Sequence, residues 1–520
     1  MSQRPFAVPE TLEEEPLSTR FVRGAFWSLV GALAARAFSM AADVAMARLL
    51  GNAGFGELGM VQNTMGLFGV FAGFGLGLTS TKHVAEFKRA DPVRAGRIIA
   101  LTCAVALACA GLMAGLCVAL APWLAARTIN APHLAPALRA GALLLFVSAL
   151  AGSQIGVLTG FEAFRAIARV NFFQGLVTLP VAVVFVYWAK LPGAIAAITI
   201  SAGVGLILAA SAVAKECRAL GIRPVLDAGV LSEARILWHF SLPAMLSGVL
   251  VAPVTWAASA ILVNQPHGYC ALGVVNAAER LRMLVLCLPE LALAPLLPIL
   301  SGRSKRDEKE TYSNTVDFSV LLACSAALPL VFLAASCPKL VMGLFGKDYE
   351  SSPLTLQWTM LSAAINAIGF PVGAILASKS RMWLGLAING LWSGAFFALA
   401  VLFVPRYGGA GLAASKGLAY LVLLAATLWY LSAVDRHALG RFRFSLVFAL
   451  VALMFAVSVG ASLRVTVPYA LLWAGGGSVL FLGALGRIAP GHVRASVWRH
   501  LANATTKLKS LARRSGRSGS

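Results

Sequence analysis

Apolar stretches long enough to cross a lipid bilayer recur along almost the whole of this chain. A helix needs about 20 mostly apolar residues to cross the roughly 30 Å hydrocarbon core of a membrane. Of the 520 residues, 59% are hydrophobic and only 12% are charged, about half the charged share of a typical soluble domain. Because no water-soluble core could absorb so much apolar sequence, we predict an all-α, polytopic integral membrane protein.

Glycine, proline and charge clusters mark the ends of the apolar runs. The first 19 residues are polar and acidic, which indicates a cytoplasmic leader and not a signal peptide. The segment 82–97 is predicted to form a short interfacial helix. We predict about fourteen transmembrane helices, at 24–49, 55–80, 97–120, 138–160, 171–189, 193–214, 237–263, 272–300, 313–337, 355–378, 383–404, 409–431, 444–463 and 467–486.

The distribution of lysine and arginine predicts the orientation of these helices. If the N-terminus is cytoplasmic, inward-facing segments carry 31 of the 43 basic residues and outward-facing segments carry 8. Cytoplasmic loops of membrane proteins carry such an excess of positive charge. Both termini are therefore predicted to be cytoplasmic.

The formal net charge of +22 has the same origin. Most of it lies in short cytoplasmic loops and in the tail after Arg487, and such segments bind anionic lipid head groups. We therefore predict membrane lipids, and no nucleic acid, as partners. The eight cysteines contain no CxxC pair and most lie inside apolar runs, so we expect no metal, cofactor or disulfide.

The sequence contains an internal repeat. Residues 49–63 align with 262–276 at an offset of 214, and a second set of matches follows at an offset of 218. The matched pairs are Gly54 and Gly268, Phe55 and Tyr269, Leu58 and Leu272, and Gly59 and Gly273 at the first offset, and Asn171 and Asn389, Phe185 and Phe403, and Gly193 and Gly411 at the second. Six spans per copy predict two parallel six-helix lobes with pseudo-two-fold symmetry plus two C-terminal helices, a duplication typical of secondary transporters.

The repeat and the spans together divide the chain into domains. These are a cytoplasmic leader at 1–22, a first lobe at 23–215, a cytoplasmic linker at 216–236, a second lobe at 237–432, two further helices at 433–486 and a basic cytoplasmic tail at 487–520.

Several charged residues lie within predicted spans, where each costs about 2.5–3.5 kcal/mol on insertion scales and indicates a functional site. Arg36 and Asp43 are two turns apart on the first helix and so share a face. We therefore expect Asp43 to stay charged and to hold Arg36 in place. Glu279 and Arg282 on the eighth helix are spaced i,i+3 and can pair. Ion pairs that only orient helices remain the alternative for both.

Two further basic residues in spans, Arg280 and Lys416, have no carboxylate nearby in the sequence. Basic groups inside a helix bundle suit an anion, and arginine binds phosphate through two parallel hydrogen bonds. Arg36, Arg280 and Lys416 are therefore candidate ligands of an anionic head group. Glu290 lacks an evident partner and is a candidate proton carrier or, alternatively, a glutamate turned toward the cytoplasmic vestibule.

Two amides occupy equivalent positions in the repeat. Gln62 and Asn276 could bind sugar hydroxyls, and interhelical hydrogen bonding is the alternative for both.

The blocks FVRGAFWSLVGALAARAFSMAADVAMARLLGNAGFGELGMVQ and FAGFGLGLTSTKHVAEF resemble Wzx-type polysaccharide repeat-unit flippases of the multidrug/oligosaccharidyl-lipid/polysaccharide exporter (MOP) superfamily. Supporting blocks lie at 158–174, 237–250, 268–282 and 344–357, and the resemblance covers roughly residues 20–435. It implies two six-helix lobes around a cationic cavity and transfer of an undecaprenyl-pyrophosphate-linked oligosaccharide across the bacterial inner membrane by alternating access. It also implies partnership with a polysaccharide polymerase and chain-length machinery. Arg36 and Asp43 resemble the Arg and Asp on the first helix of lipid II flippases.

Two alternatives compete with a flippase. A drug exporter of the same fold would line its cavity with carboxylates, whereas the charged positions here are mostly basic. A membrane glycosyltransferase or polymerase would need a large external loop, and none is predicted. The sequence also has no DxD, HExxH or GxxxxGK[ST] motif, so no enzymatic activity is expected. Without an ATP-binding motif, the energy source is an ion gradient, a membrane potential or coupled synthesis outside.

Overall fold

A computed structural model describes residues 17–226, 242–293, 309–378, 382–434, 444–464 and 467–488, and these ranges are helical and contain no strand. Most of the predicted leader and the whole tail after Ile488 lie outside the described residues, as does the linker beyond Leu226.

The first part of the chain folds into five helices. They are α1 (Leu17–Gly73), α2 (Leu76–Ala90), α3 (Pro92–Trp123), α4 (Ala135–Gly160) and α5 (Phe164–Ala219). A short π-helical turn (Leu124–Thr128) and a 3-10 turn (Pro132–Leu134) join α3 to α4. We call residues 17–226 the first half.

The second part follows the same plan. Its helices are α6 (Leu242–Val263), α7 (Gly268–Leu293), α8 (Lys309–Ser336), α9 (Pro338–Met342), α10 (Pro353–Ser378) and α11 (Met382–Val434), with a 3-10 turn (Lys347–Ser351) before α10. We call residues 242–434 the second half. Helices α12 (Phe444–Arg464) and α13 (Val467–Ile488) follow and pack on α8.

The predicted all-α membrane fold is confirmed, because helices that are apolar on all sides suit a lipid environment. Within the described residues, seven helical stretches are long and apolar enough to cross a membrane, and two shorter apolar helices accompany them. The number of fourteen spans stays a prediction.

Backbone breaks divide the three longest helices. Gly51 interrupts α1 with φ 71° and ψ 175°, Lys190 interrupts α5 with φ 48° and ψ −125°, and Gly408 interrupts α11 with φ 55° and ψ −130°. The last two breaks have nearly the same dihedral angles and stand 218 residues apart, which is the second offset of the sequence repeat. The two halves are therefore folded copies, as the repeat predicted.

One predicted boundary is wrong. The span expected at 55–80 ends at Gly73, because Phe74 and Gly75 adopt left-handed conformations with φ 42° and 65° and turn the chain. The amphipathic helix expected at 82–97 accordingly begins earlier, as α2, and ends before Pro92 opens the next span. The sequence analysis placed Gly73 and Gly75 inside an apolar span, whereas in the structure the helix ends there.

The two halves meet most closely where α1, after its break, runs beside α7. A Cβ on Gly56 would overlap the carbonyl oxygen of Tyr269, and a Cβ on Gly273 would overlap that of Asn52. Only glycine permits this approach of two backbones. About one to two turns further along the two helices, this contact places polar residues face to face, such as Gln62 of α1 and Arg280 of α7.

We expect Gly193→Ala and Gly411→Ala to lower the free energy of unfolding by about 1–3 kcal/mol each. These glycines lie just after the breaks in α5 and α11, and a Cβ there would overlap the carbonyl oxygen of Phe185 or Phe403, respectively. Thermal unfolding of the purified protein in detergent measures the effect.

The matched controls are Gly203→Ala in α5 and Gly394→Ala in α11, because a Cβ at either position meets no atom within 4 Å. Alanine stabilises a helix by up to about 1 kcal/mol relative to glycine. Equal melting temperatures for all four variants would contradict the proposed packing of the breaks.

Candidate functional site

A cavity of about 400 Å³ lies between the two halves, where α1, α6, α7 and α11 meet. Its wall contains five of the residues predicted from the sequence, namely Gln62, Asn276, Glu279, Arg280 and Lys416. The structure therefore brings together candidates that are more than 300 residues apart in the chain.

Arg280 joins the second half to the first. Its Nε lies 3.4 Å from Oδ2 of Asp43, and its Nη2 donates a hydrogen bond of 2.7 Å to Oε1 of Gln62. The sequence suggested that Asp43 holds Arg36. In the structure, the partner of Asp43 is Arg280 instead. The expected pair fails because side chains two turns apart on one helix are about 10 Å apart along its axis, whereas α7 lies directly beside α1.

Arg36 occupies a different place in the site. Its side chain is exposed and lies within hydrogen-bonding reach of the Cys287 thiol on α7. Since α1 before its break and α7 run in opposite directions, Arg36 stands beside Cys287 while Asp43 stands beside Arg280. The two arginines are therefore about two turns, or roughly 10 Å, apart along the helix axes.

Glu279 is held by two cations. Its Oε2 accepts a hydrogen bond of 2.7 Å from Nε of Arg282, which confirms the predicted i,i+3 pair, and its Oε1 lies 3.0 Å from Nζ of Lys416. The Arg282 guanidinium also lies 5.9 Å from the centre of the Tyr420 ring. Lys416 thus has a partner that the sequence did not reveal, because Glu279 comes from a helix distant in the chain.

The site carries an excess of positive charge. Arg280, Arg282 and Lys416 pair with only two carboxylates, Asp43 and Glu279, and Arg36 adds a further positive charge about two turns away. The Arg280 side chain is 28% exposed, whereas that of Arg282 is 9% exposed. Arg280 is therefore the guanidinium that a molecule in the cavity can reach, and Arg282 is the one that buries the charge of Glu279.

The remaining candidates differ in how they are placed. The Asn276 amide nitrogen is buried and has no hydrogen-bond partner among the described residues, and it packs directly against Gly59. The Glu290 side chain is exposed on α7 and lies close enough to Arg282 to interact with it electrostatically. The described part of the chain contains no group of three or more His, Cys, Asp or Glu side chains that could hold a metal ion.

Some polar residues of the site were missed by sequence reasoning. Asn63 donates a hydrogen bond of 3.1 Å to the Ser259 hydroxyl, and the Trp256 indole donates one of 3.0 Å to the Thr64 hydroxyl, both between α1 and α6. Outside the residues that line the cavity, Asp317 on α8 is a further charged residue that is completely buried. The sequence did contain features that could have predicted these residues. Asn63 directly follows the candidate Gln62, and Asp317 is a charged residue inside the span predicted at 313–337.

A second cavity, of about 620 Å³, lies within the first half among α1, α2, α4 and α5. Glycines and aliphatic side chains form most of its wall, with Ser148 as one of the few polar groups. Gln62 lines both cavities, so the two spaces meet at that side chain.

Comparison with known proteins identifies the family. A model of the family described as polysaccharide biosynthesis protein matches residues 21–304. No curated protein matches the sequence significantly.

Solved structures show the same fold. The lipid II flippase MurJ in an inward closed conformation has a TM-score of 0.64 and 12% identity, and the alignment covers 90% of this chain and 99% of that one. An inward-facing multidrug resistance MATE family transporter of the MOP superfamily has a TM-score of 0.61 and 14% identity, covering 77% and 95%. A Vibrio cholerae MATE transporter has a TM-score of 0.59 and 18% identity, covering 81% and 99%. The chain therefore belongs to the polysaccharide biosynthesis protein family, with the fold of the transporters and flippases of the MOP superfamily.

Proposed function

We propose that the protein is a flippase that moves an undecaprenyl-pyrophosphate-linked oligosaccharide repeat unit across the bacterial inner membrane for surface polysaccharide export. It works by alternating access, with both termini in the cytoplasm, and it hands its product to a polymerase and chain-length machinery outside. The observation that carries this proposal is Arg280, which lies in the wall of the cavity between the halves and is held there by Asp43 and Gln62.

The pyrophosphate needs fixed positive charge in the cavity. Burying an anion without a partner costs several kcal/mol, even after the surroundings relax. Arg280 can supply the charge because its ion pair with Asp43 is long, at 3.4 Å, and its side chain is partly exposed. A phosphate can replace Asp43 and accept two parallel hydrogen bonds from the guanidinium. Arg282 stays with Glu279, since that pair is short and nearly buried.

Lys416 and Arg36 add to this binding site. Lys416 shares Glu279 with Arg282, so it can turn toward a second phosphate while Arg282 keeps the carboxylate neutralised. Arg36 lies about two turns away on the first half and contacts the head group from the opposite side of Arg280.

Head-group binding is thereby linked to the conformational change. The bonds from Arg280 to Asp43 and Gln62 join the two halves, and exchange of Asp43 for a phosphate removes one of these connections. A ligand shifts a conformational equilibrium by its difference in affinity for the two states. The substrate therefore favours the state in which the halves have separated at this point.

The sugar hydroxyls have amides and hydroxyls to bind in the same place. Gln62, Asn63, Asn276 and Ser259 line the charged cavity, and Gln62 also lines the larger cavity of the first half. The two spaces together give room for several sugar rings beside the pyrophosphate.

The alternatives fit the site less well. An exporter of cationic drugs needs carboxylates that are free to pair with its substrate, whereas Asp43 and Glu279 are already paired with cations. A glycosyltransferase or polymerase needs a soluble-facing catalytic region, and the described segments between the helices are short turns. Dye efflux that depended on Asp43 would favour the exporter.

We expect Arg280→Ala to reduce glycan transfer by about 10- to 100-fold, because a charge-assisted hydrogen bond contributes about 1.5–3 kcal/mol. Arg280→Lys should recover only part of the activity, since lysine cannot form two parallel hydrogen bonds. The measurements are surface polysaccharide in complemented cells and transfer of the lipid-linked oligosaccharide in proteoliposomes.

Arg139→Ala serves as the control, because this arginine is exposed and does not line the cavity. Normal export by well-expressed Arg36→Ala and Arg280→Ala variants would rule out the head-group site and leave the fold untouched.

Arg282 and Arg280 should differ in what they stabilise. Arg282→Gln leaves Glu279 with Lys416 as its remaining cation, so we expect it to lower the melting temperature of the purified protein. Arg280→Gln removes a more exposed group and should change the melting temperature much less. The reverse order in thermal unfolding would show that Arg280, and not Arg282, is the structural arginine.

Glu290 is the proposed proton carrier, since Asp43 and Glu279 are each held by a cation. We expect Glu290→Gln to abolish the pH dependence of transfer in proteoliposomes with an imposed proton gradient. Glu216→Gln alters a glutamate in the last turn of α5, on a different helix from Glu290, and should leave the pH dependence unchanged. A Glu290→Gln variant with the wild-type pH profile would remove proton coupling through this residue.

A further inference from the structure

Six hydrogen bonds join the two halves at the end of the bundle where α1 breaks, which we call the gate face. Each is donated by a side chain of one half to a backbone carbonyl of the other. They run from Arg48 Nε to Leu344 at 2.8 Å, from Asn52 Nδ2 to Asp348 at 3.3 Å, from the Tyr349 hydroxyl to Ala47 at 3.1 Å and to Gly51 at 3.0 Å, from Asn264 Nδ2 to Thr128 at 2.8 Å, and from the Tyr269 hydroxyl to Ile129 at 2.9 Å.

The break in α1 explains why its carbonyls accept these bonds. The last carbonyls of a helix have no donor within the helix, and Gly51 ends the helical run. The single O–H of Tyr349 lies 3.1 Å from the Ala47 carbonyl and 3.0 Å from the Gly51 carbonyl, so the two acceptors share one donor. The Tyr349 side chain is 1% exposed and its ring packs edge-on against Phe55, so the hydroxyl has a fixed position. Burial also raises the pKa of the Tyr349 phenol, which keeps it protonated as a donor.

The bonds form two groups. In one, Tyr349 of the second half donates to the first half, and Arg48 and Asn52 of the first half donate to the second half. In the other, Tyr269 and Asn264 of the second half donate to the turn that follows α3 in the first half. That turn and the turn that carries Tyr349 occupy corresponding positions in the repeat. The two groups therefore clamp the gate face on both sides of the pseudo-two-fold axis.

The charged cavity lies behind these groups. It begins near Gly59 and Leu272, past the point where Gly56 and Gly273 bring the two backbones together. The close backbone contact at Gly56 and Gly273 and the six hydrogen bonds therefore lie between the cavity and the gate face.

We propose that the Tyr349 and Tyr269 hydroxyls act as two latches that keep the gate face closed and determine how often it opens. The proposal rests on the proposed function only in requiring that the substrate leave through this face. The latches themselves are a property of the protein without substrate.

Amide hydrogen exchange of the full-length protein in lipid nanodiscs tests the latches. Tyr→Phe removes one hydroxyl and keeps the packed ring, so Tyr349→Phe and Tyr269→Phe should fold normally. A hydrogen bond of about 0.5–1.5 kcal/mol corresponds to roughly a 2- to 13-fold change in the opening equilibrium. We expect exchange in peptides covering 47–56 and 264–273 to accelerate by that factor in each single variant, and by about the product of the two in the double variant.

Tyr407→Phe is the matched control, because this exposed tyrosine packs on Phe403 and donates no hydrogen bond to the rest of the described chain. It should leave exchange at the gate face unchanged. Wild-type exchange in the double variant would overturn the proposal, and so would faster exchange spread evenly over all helices.

The same experiment separates the latches from the proposed function, because exchange is measured without substrate. A gate face that loosens as expected, in a protein that transfers no lipid-linked oligosaccharide in proteoliposomes, would remove the proposed function and leave the latches standing. Faster transfer by the single variants, with faster exchange at the gate face, would support both.

Discussion

A charge inside a membrane helix needs a partner, and the partners of Arg280 on the neighbouring helix α1 shape the interface between the two halves. Arg280 can reach Asp43 and Gln62 only because α7 approaches α1 closely. That approach depends on Gly56 and Gly273, where any side chain would overlap the opposite backbone. Backbone packing at one end of the interface therefore sets the distances between charged groups further along.

The two ion-pair groups at the cavity differ in how tightly the carboxylate is held and in how exposed its cation is. The Glu279 carboxylate is shared between a buried arginine at 2.7 Å and Lys416 at 3.0 Å, so its charge is well compensated. The Asp43 carboxylate has a longer contact to a more exposed guanidinium. Removing one partner from a buried ion pair costs free energy because the other charge is left uncompensated. That cost would be small for Arg280 if an incoming phosphate took the place of the Asp43 carboxylate.

The sequence predicted those features of the fold and of the site that follow from a pattern along the chain. The apolar runs predicted the helices, and the i,i+3 spacing predicted the pair of Glu279 with Arg282. The offset of 218 predicted a structural repeat, and the breaks at Lys190 and Gly408 stand at that offset. The end of the second span at Gly73 was not predicted, since Phe74 and Gly75 turn the chain inside an apolar run.

Partners on other helices were the second kind of information that the sequence lacked. Lys416 with Glu279 and Arg280 with Asp43 are joined only by packing, and no spacing in the chain encodes which helices become neighbours. The six bonds of the gate face were not predicted for the same reason, since they also join segments distant in the chain. All six acceptors are backbone carbonyls, which no side-chain pattern reveals.

The two copies of the repeat have kept one backbone plan and diverged in charge. By the offsets of 214 and 218, the counterparts of Arg280 and Lys416 in the first half are Gly66 and Ile198. Both line the larger cavity of the first half. Where the second half places long basic side chains, the first half leaves space. The first half contributes the amides of Gln62 and Asn63 to the charged cavity, and its Asp43 carboxylate pairs with Arg280. A symmetric pair of basic walls would hold the halves apart by repulsion when the cavity is empty. One basic wall facing a carboxylate instead joins the halves through Arg280 and Asp43. In the proposed mechanism, an anion that binds Arg280 more strongly than Asp43 does would release this connection.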